Sequence, residues 1–153
     1  MGARAAVALL IAALAAGCGG KNGNHARSNH SQRSPASVIR AWADSLRRGD
    51  VAGAAAYFAL PAIVQNGTPP LRLETRAQAR AFNASLPCGA RLIRTTSAGR
   101  FTTAVFRLTE RPGRGHCGSG TGQTARTTFV ISGGRIREWR RVTNEPQPAG
   151  PLV

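Results

Sequence analysis

The sequence predicts an α+β domain over residues 35–143, with helices in the first half and strands in the second. The first half contains three segments that carry helix start signals and one apolar side. The second half contains four segments typical of strands, and in two of them, residues 101–110 and 123–132, apolar and polar residues alternate as they do in half-buried strands. Three helices with a short strand between the second and third, followed by a meander of long antiparallel strands, are typical of an α+β domain.

The first two predicted helices are marked by capping residues. Ser34 and Pro35 suit the N-cap and the first helical position, and Asp50 suits the N-cap of a short second helix over residues 51–59. Pro61 is expected to stop that second helix, because it lacks a backbone N–H group. The apolar side of the first helix consists of Val38, Ile39, Trp42 and Leu46.

A short strand and a third helix are predicted next. The strand covers residues 62–65 and is followed by the turn pair Asn66-Gly67. Thr75 and Gln78 have the spacing of a capping box, and Pro87 ends the helix that they begin. The side of this helix that we expect to be buried carries Ala81, Phe82 and Leu86.

Four longer strands are predicted after Pro87. Gly133-Gly134 suits the two-residue hairpin turn between the last two strands. Ile136 and Trp139 are three residues apart in the last strand, which predicts either a bulge or two covered faces. The predicted ranges are Ala90–Thr96, Phe101–Glu110, Gln123–Ser132 and Arg135–Val142.

The first residues are typical of an export signal. Residues 5–16 form an apolar run that is too short to span a membrane, and small residues precede Cys18 in a pattern that resembles the lipobox of bacterial lipoproteins. Residues 1–17 are therefore expected to be a signal peptide, with Cys18 lipidated and the protein anchored outside the cytoplasm on the bacterial cell membrane. An ordinary secretory signal is the alternative. Residues 18–34 are predicted to be a flexible tether, and residues 144–153 a disordered Pro-rich tail.

The remaining cysteines agree with an exported protein. If Cys18 carries lipid, Cys88 and Cys117 remain as an even pair, and outside the cytoplasm such a pair is expected to form a disulfide. Two reduced, unrelated thiols are the alternative. No C-x-x-C spacing exists and only His116 is nearby in sequence, so neither a metal site nor another cofactor is predicted.

The chain is strongly basic. It has 21 Lys and Arg against 6 Asp and Glu, which gives a formal net charge of +15. An exported protein of this charge is expected to meet anionic lipid or wall polymer rather than nucleic acid, although a scattered, solvated basic surface is an equal alternative. The candidate anion-binding residues cluster on the last hairpin, namely Arg126, Arg135, Arg137, Arg140 and Arg141.

Two stretches resemble a known family. Residues 38–50 with 54–59 resemble the opening of SnoaL-like domains in the nuclear-transport-factor-2-like (NTF2-like) superfamily, and residues 128–140 resemble that family's last hairpin. The resemblance implies a cone, formed by a curved antiparallel sheet wrapped around a long N-terminal helix and enclosing an apolar cavity. It also implies that a homodimer through the sheet face is possible.

The resemblance does not carry over the catalytic groups of ketosteroid isomerase, an enzyme of this superfamily that needs a carboxylate base and hydrogen-bonding acids. The position of the base falls at Asn66, and those of the acids fall at Trp42 and near Arg126. Because none of these residues is a carboxylic acid, a non-catalytic domain is favoured. An isomerase, cyclase or hydrolase that uses other groups is the alternative.

A cavity of this kind would be lined by the aromatic residues of the predicted elements, with few polar groups. Its expected occupant is a small apolar ligand, and a surface for a protein partner is the alternative. Thr127 is a further candidate polar group. The candidate pocket residues are Trp42, Tyr57, Phe58, Asn66, Phe82, Phe106, Phe129 and Trp139.

Overall fold

The computed structural model of the chain describes residues 33–113 and 115–142, and it confirms the α+β class. The predicted signal peptide, Cys18 and the tail beyond residue 143 lie outside the described residues. Among the described helices, none is long and apolar enough to cross a membrane. The helices are α1 (Pro35–Arg47), α2 (Val51–Ala56) and α3 (Arg76–Ser85), and the strands are β1 (Phe58–Gln65), β2 (Leu71–Leu73), β3 (Gly89–Ala98), β4 (Phe101–Thr109), β5 (Thr124–Ser132) and β6 (Arg135–Val142).

The six strands form one curved sheet in the order β2-β1-β6-β5-β4-β3. Four of its five strand pairs are antiparallel. The pair β1 and β6 is parallel, which corrects the expectation of a wholly antiparallel sheet. We call the face of the sheet that α1 covers the inner face, and the opposite one the outer face.

All three predicted N-caps are confirmed. The Ser34 hydroxyl accepts a hydrogen bond from the Ser37 amide at 3.2 Å, and a carboxylate oxygen of Asp50 accepts one from the Gly53 amide at 2.7 Å. Thr75 forms both bonds of the predicted capping box with Gln78. These bonds satisfy backbone N–H groups that a helix start leaves without partners, so short local signals define where the helices begin.

The second helix is shorter than predicted, and Pro61 does not stop it. The helix ends at Ala56, whose carbonyl accepts a hydrogen bond from Nη1 of Arg135 at 2.8 Å. Pro61 lies inside β1 instead, where the register with β6 shifts between Phe58 and Ile63. A residue without an N–H group is tolerated at such an irregular position because the strand ladder is already interrupted there.

The third helix buries Phe82 and Leu86 as predicted, but the rest of its buried side differs from the prediction. It buries Ala79, Phe82 and Asn83, whereas Ala81 is exposed. The short strand β2 is not predicted, since its three residues follow two prolines and are too few for their alternation to distinguish them from a loop.

The last hairpin has the predicted turn and the predicted bulge. Gly133 and Gly134 both have positive φ, 58° and 69°, as a primed turn requires. In the ladder between β5 and β6, Val130 pairs with Glu138 and Ile131 with Ile136. Arg137 is therefore the extra residue of a bulge.

The core lies between the helices and the inner face, around Trp42. The indole of Trp42 makes edge contacts with Phe106, Phe129 and Trp139, at centroid distances of 6.1, 5.6 and 6.3 Å. The buried cluster of apolar residues runs from Val38 to Trp139. All members of this described cluster lie within residues 38–139, so a chain that begins at residue 19 retains them.

Candidate functional site

A cavity of about 250 Å³ lies between α1 and the inner face of the sheet. Four of the predicted pocket residues line it: Trp42, Asn66, Phe106 and Trp139. The alternation of β5 places Thr127 on the same wall. The other lining residues are Leu46, Leu86, Pro87, Cys88, Ala90, Leu108, Gly120, Ala125 and Arg141.

The other four predicted pocket residues lie outside this lining. Tyr57 and Phe58 are at the start of β1, whereas Asn66 follows its end, about 25 Å away along the strand. Phe82 packs its ring between Phe58 and Trp139 at 5.9 and 5.1 Å, so it fills core space. Phe129 is 0% exposed and is packed against Trp42. Four of the seven aromatic residues predicted to line the cavity therefore lie elsewhere.

The indole of Trp42 is held in place by a buried amide. Its Nε1 donates to Oδ1 of Asn83 at 2.9 Å, and Nδ2 of Asn83 donates to the carbonyl of Ala79 at 2.8 Å. Asn83 is 0% exposed, and the sequence analysis missed it. The sequence does contain a signal for it, because Asn83 lies on the same side of α3 as Ala79 and Phe82, where a polar residue is expected to have a buried partner. Because its N–H group is already bound, Trp42 offers a ligand only its ring.

The remaining polar groups of the lining can donate hydrogen bonds. Nε1 of Trp139 is buried and has no hydrogen-bond partner among the described residues. Arg141 makes no hydrogen bond or ion pair within that part of the chain, and it is exposed at the cavity. Asn66 adds an amide and Thr127 a hydroxyl. The described lining contains no Asp, Glu or His, so its chemistry favours a ligand that accepts hydrogen bonds.

The predicted disulfide is confirmed and borders the cavity. Cys88 and Cys117 are bonded, and Cys88 lines the cavity. The bond joins the start of β3 to the glycine-rich loop between β4 and β5. A Cβ atom on Gly120 would lie 3.2 Å from the sulfur of Cys117 and 3.4 Å from that of Cys88, so the loop packs closely against the bridge.

Glu110 organises the same loop. One carboxylate oxygen accepts from the Cys117 amide at 3.2 Å, and the other accepts from the Gly118 amide at 3.1 Å and from the Thr121 hydroxyl at 2.9 Å. These hydrogen bonds, led by that from Cys117, favour the ionised form and lower the pKa of Glu110. Glu110 therefore acts as an internal anchor for the cavity wall rather than as a general acid or base.

Arg111 is a buried charged residue near the end of α3. Its Nη2 donates to the carbonyls of Asn83 and Ala84 at 3.4 and 3.0 Å, where the helix leaves backbone acceptors without partners. Burial lowers the pKa of Arg111, because desolvation disfavours its charged form. Its position at the helix C-terminus favours the positive charge in return.

The predicted arginine cluster on the last hairpin does not form one surface. Arg126 and Arg140 lie on the outer face, whereas Arg141 lines the cavity on the inner side. Arg135 caps α2, and Arg137 is the exposed residue of the bulge. The five arginines are separated because successive side chains of a β-strand point to opposite faces of the sheet.

The positions that the family resemblance suggested for catalytic groups are also divided between the two faces. Asn66 and Trp42 reach the cavity, but Arg126 does not, because its neighbours Ala125 and Thr127 occupy the inner face of β5. The described residues contain no cluster of three or more His, Cys, Asp or Glu that could hold a metal ion.

A larger groove of about 880 Å³ is open to solvent at the end of β6. Two arginines line it: Arg140 donates to Glu138 and to Gln65, each at 3.0 Å, whereas Arg141 lines both the groove and the smaller cavity. The smaller cavity is the better candidate site, because it is less open to solvent than the groove, is lined largely by apolar side chains, and includes Trp139, whose buried Nε1 has no hydrogen-bond partner among the described residues.

Solved structures with this architecture come from several bacteria. A putative polyketide cyclase from Xanthomonas campestris superposes with a TM-score of 0.53 at 19% identity, over 76% of this chain and 93% of that one. An NTF2-like protein of unknown function from Cytophaga hutchinsonii superposes with a TM-score of 0.53 at 7% identity, over 70% of this chain and 87% of that one. A protein with a ketosteroid isomerase-like fold from Catenulispora acidiphila, solved in complex with trimethylamine, superposes with a TM-score of 0.51 at 15% identity, over 69% of this chain and 84% of that one.

No family model and no curated protein matches the chain. At these identities the likeness to solved structures shows the fold alone. The described residues therefore have the NTF2-like fold, as the resemblance of residues 38–50 and 128–140 implied.

Proposed function

We propose that this chain is an exported lipoprotein whose NTF2-like domain binds a small, mostly apolar molecule and does not catalyse a reaction. One observation carries the proposal. The cavity is largely apolar, its described polar side chains include no carboxylate and no imidazole, and Arg141 and Nε1 of Trp139 can only donate hydrogen bonds. Such a lining can hold a molecule in place, but it has no group suited to move a proton at neutral pH.

The size and donors of the cavity indicate the class of ligand. A volume of about 250 Å³ holds roughly eight groups of water size, at ~30 Å³ each. The ligand should be a short aliphatic or small cyclic molecule that ends in a carbonyl or carboxylate. Its acceptor would lie near Arg141 or Nε1 of Trp139, and its apolar part against Leu46, Leu86 and Phe106.

The binding test uses octanoate as a probe and octylammonium as its donor-headed counterpart. We expect calorimetry on a variant that begins at residue 19 to show binding of octanoate and no binding of octylammonium. Arg141→Gln should weaken it about tenfold, as expected for the loss of a charge-assisted hydrogen bond of ~1.5 kcal/mol. Arg137→Gln removes the same charge from the same strand outside the cavity, so it should change nothing.

The catalytic alternative has a different readout. An enzyme would convert a bound carbonyl compound, and mass spectrometry of a small unsaturated ketone after incubation would detect that conversion. Turnover that Asn66→Ala abolishes would overturn the non-catalytic proposal. Failure of both octanoate and the ketone to bind would overturn the choice of this cavity as the ligand site.

Anchoring is tested separately. We expect the full chain to incorporate labelled palmitate and to sediment with membranes, and Cys18→Ser to lose both properties. The disulfide supports the oxidising compartment that such a protein would occupy. Recovery of an unprocessed chain in the cytosol would contradict this part of the proposal.

A further inference from the structure

Four arginines form a basic patch on the outer face of the sheet, and only one of them belongs to the last hairpin. They lie on three neighbouring strands, and all are exposed. Arg91 on β3 is directly opposite Arg107 on β4. Arg94 and Arg126 lie on either side of Val105, which pairs with both of them. We call this set, which comprises Arg91, Arg94, Arg107 and Arg126, the outer arginine patch.

No carboxylate among the described residues neutralises the patch. Asp44 forms an ion pair with Arg47, Glu74 with Arg72, and Glu138 with both Arg100 and Arg140. Asp50 caps α2, and Glu110 holds the loop after β4. Within the described residues, the patch has a single recorded side-chain hydrogen bond, from Nη1 of Arg107 to the carbonyl of Gly122 at 3.3 Å.

The patch is electrostatically unfavourable for the isolated domain. Like charges directly opposite each other in a sheet are destabilising, and cross-strand neighbours are only about 4.5–5.5 Å apart at their Cα atoms. An external anion offsets this repulsion. A second copy of the chain would not, because it would bring the same unbalanced charges to the interface.

An exposed apolar residue borders the patch on β3, an edge strand of the sheet. Ile93 is the extra residue where the register between β3 and β4 shifts, and it lies between Arg91 and Arg94 in the chain. It is 46% exposed, one of three large hydrophobic residues so exposed in the described part of the chain. Basic residues around an exposed aliphatic side chain match a bilayer surface, where anionic headgroups lie directly above hydrocarbon.

We propose that the outer arginine patch binds the anionic headgroups of a phospholipid bilayer, with Ile93 entering the interface. The site is on the opposite face of the sheet from the cavity, so it leaves the ligand site accessible. Its geometry is independent of the lipid on Cys18, although a domain anchored there would meet the bilayer at high local concentration.

The test measures binding of the chain from residue 19 to vesicles of phosphatidylglycerol mixed with phosphatidylcholine. We expect binding to mixed vesicles and little binding to pure phosphatidylcholine. Binding should fall between ~0.1 M and ~1 M salt, as the screening length shortens from about 10 Å to about 3 Å. Arg91→Gln with Arg94→Gln should weaken it about 30-fold, since each arginine near an anionic surface contributes about fivefold.

The matched control is Arg40→Gln with Arg80→Gln, which removes the same two charges from exposed positions on α1 and α3. It should retain most of the binding. Equal weakening by both double variants would show that only net charge matters, and would overturn the proposal. Tighter binding to soluble polyphosphate or duplex DNA than to vesicles, or self-association through this face, would also overturn it. Cooperative thermal unfolding of each variant confirms that it is folded.

Discussion

Trp42 and Asn83 show how one buried hydrogen bond fixes the position of a cavity wall. Both residues are buried, so each group would remain unsatisfied if the other were removed. We expect Asn83→Leu to lower the free energy of unfolding by about 1–3 kcal/mol, the usual cost of leaving a buried donor without a partner. Urea denaturation measures this change.

A double variant separates the hydrogen bond from packing. Trp42→Phe combined with Asn83→Leu removes both polar partners, so we expect it to be less destabilised than the sum of the single changes. If the loss of stability in the double variant equals the sum of the losses in the two single variants, Trp42 and Asn83 are not energetically coupled.

Glu110 predicts how the stability of the loop depends on pH. Because its pKa is lowered in the folded state, its stabilising effect is complete above its ordinary value of 4.5 and is lost as the pH falls through the folded value. Glu110→Gln should therefore have a lower urea midpoint than the parent at neutral pH, and the difference should vanish in acid. Glu74→Gln, which breaks an exposed ion pair, should show little effect at any pH.

The disulfide connects two elements that form one wall of the cavity. It closes a loop with a sequence separation of 29, for which the chain-entropy estimate is roughly 3–4 kcal/mol. We expect Cys88→Ala with Cys117→Ala to lose that much stability and to weaken octanoate binding. A stable variant with unchanged binding would show that Glu110 alone holds the loop in place.

The sequence predicts elements well where a local signal determines them. Ser34 and Thr75 locate helix starts because capping depends only on residues within one turn. The second helix was extended to residue 59 because Tyr57 and Phe58 can belong to a helix or a strand. Pairing of Phe58 with Ile136, which is distant in sequence, determines that it belongs to a strand.

The candidate site was predicted only in part, for a related reason. Phe106 and Trp139 reach the cavity whereas Phe82 and Phe129 fill the core, and sequence patterns do not separate an apolar residue beside a void from one beside another side chain. The faces of Arg140 and Arg141 differ because of the pleat. The bulge at Arg137 adds one residue to β6, so the residues before it face the opposite way from what simple alternation predicts.

At the scale of the molecule, positive charge opposes stability. The net charge of +15 is distributed over a chain with few acidic groups, so repulsion should decrease as salt screens it. We expect Arg91→Gln to raise the free energy of unfolding by about 0.2–1 kcal/mol, because it removes the repulsion of Arg107 across the strands. The melting temperature of this variant should exceed that of Arg40→Gln.

The parallel contact between β1 and β6 makes completion of the sheet depend on the end of the chain. β6 lies between β1 and β5 although it is the last of the described strands to be synthesised. Until residues 135–142 emerge, both neighbours present open backbone edges that other chains could join. A premature stop before Arg135 should therefore yield aggregates rather than a smaller folded product, and a nascent chain needs protection from such pairing until its final strand arrives.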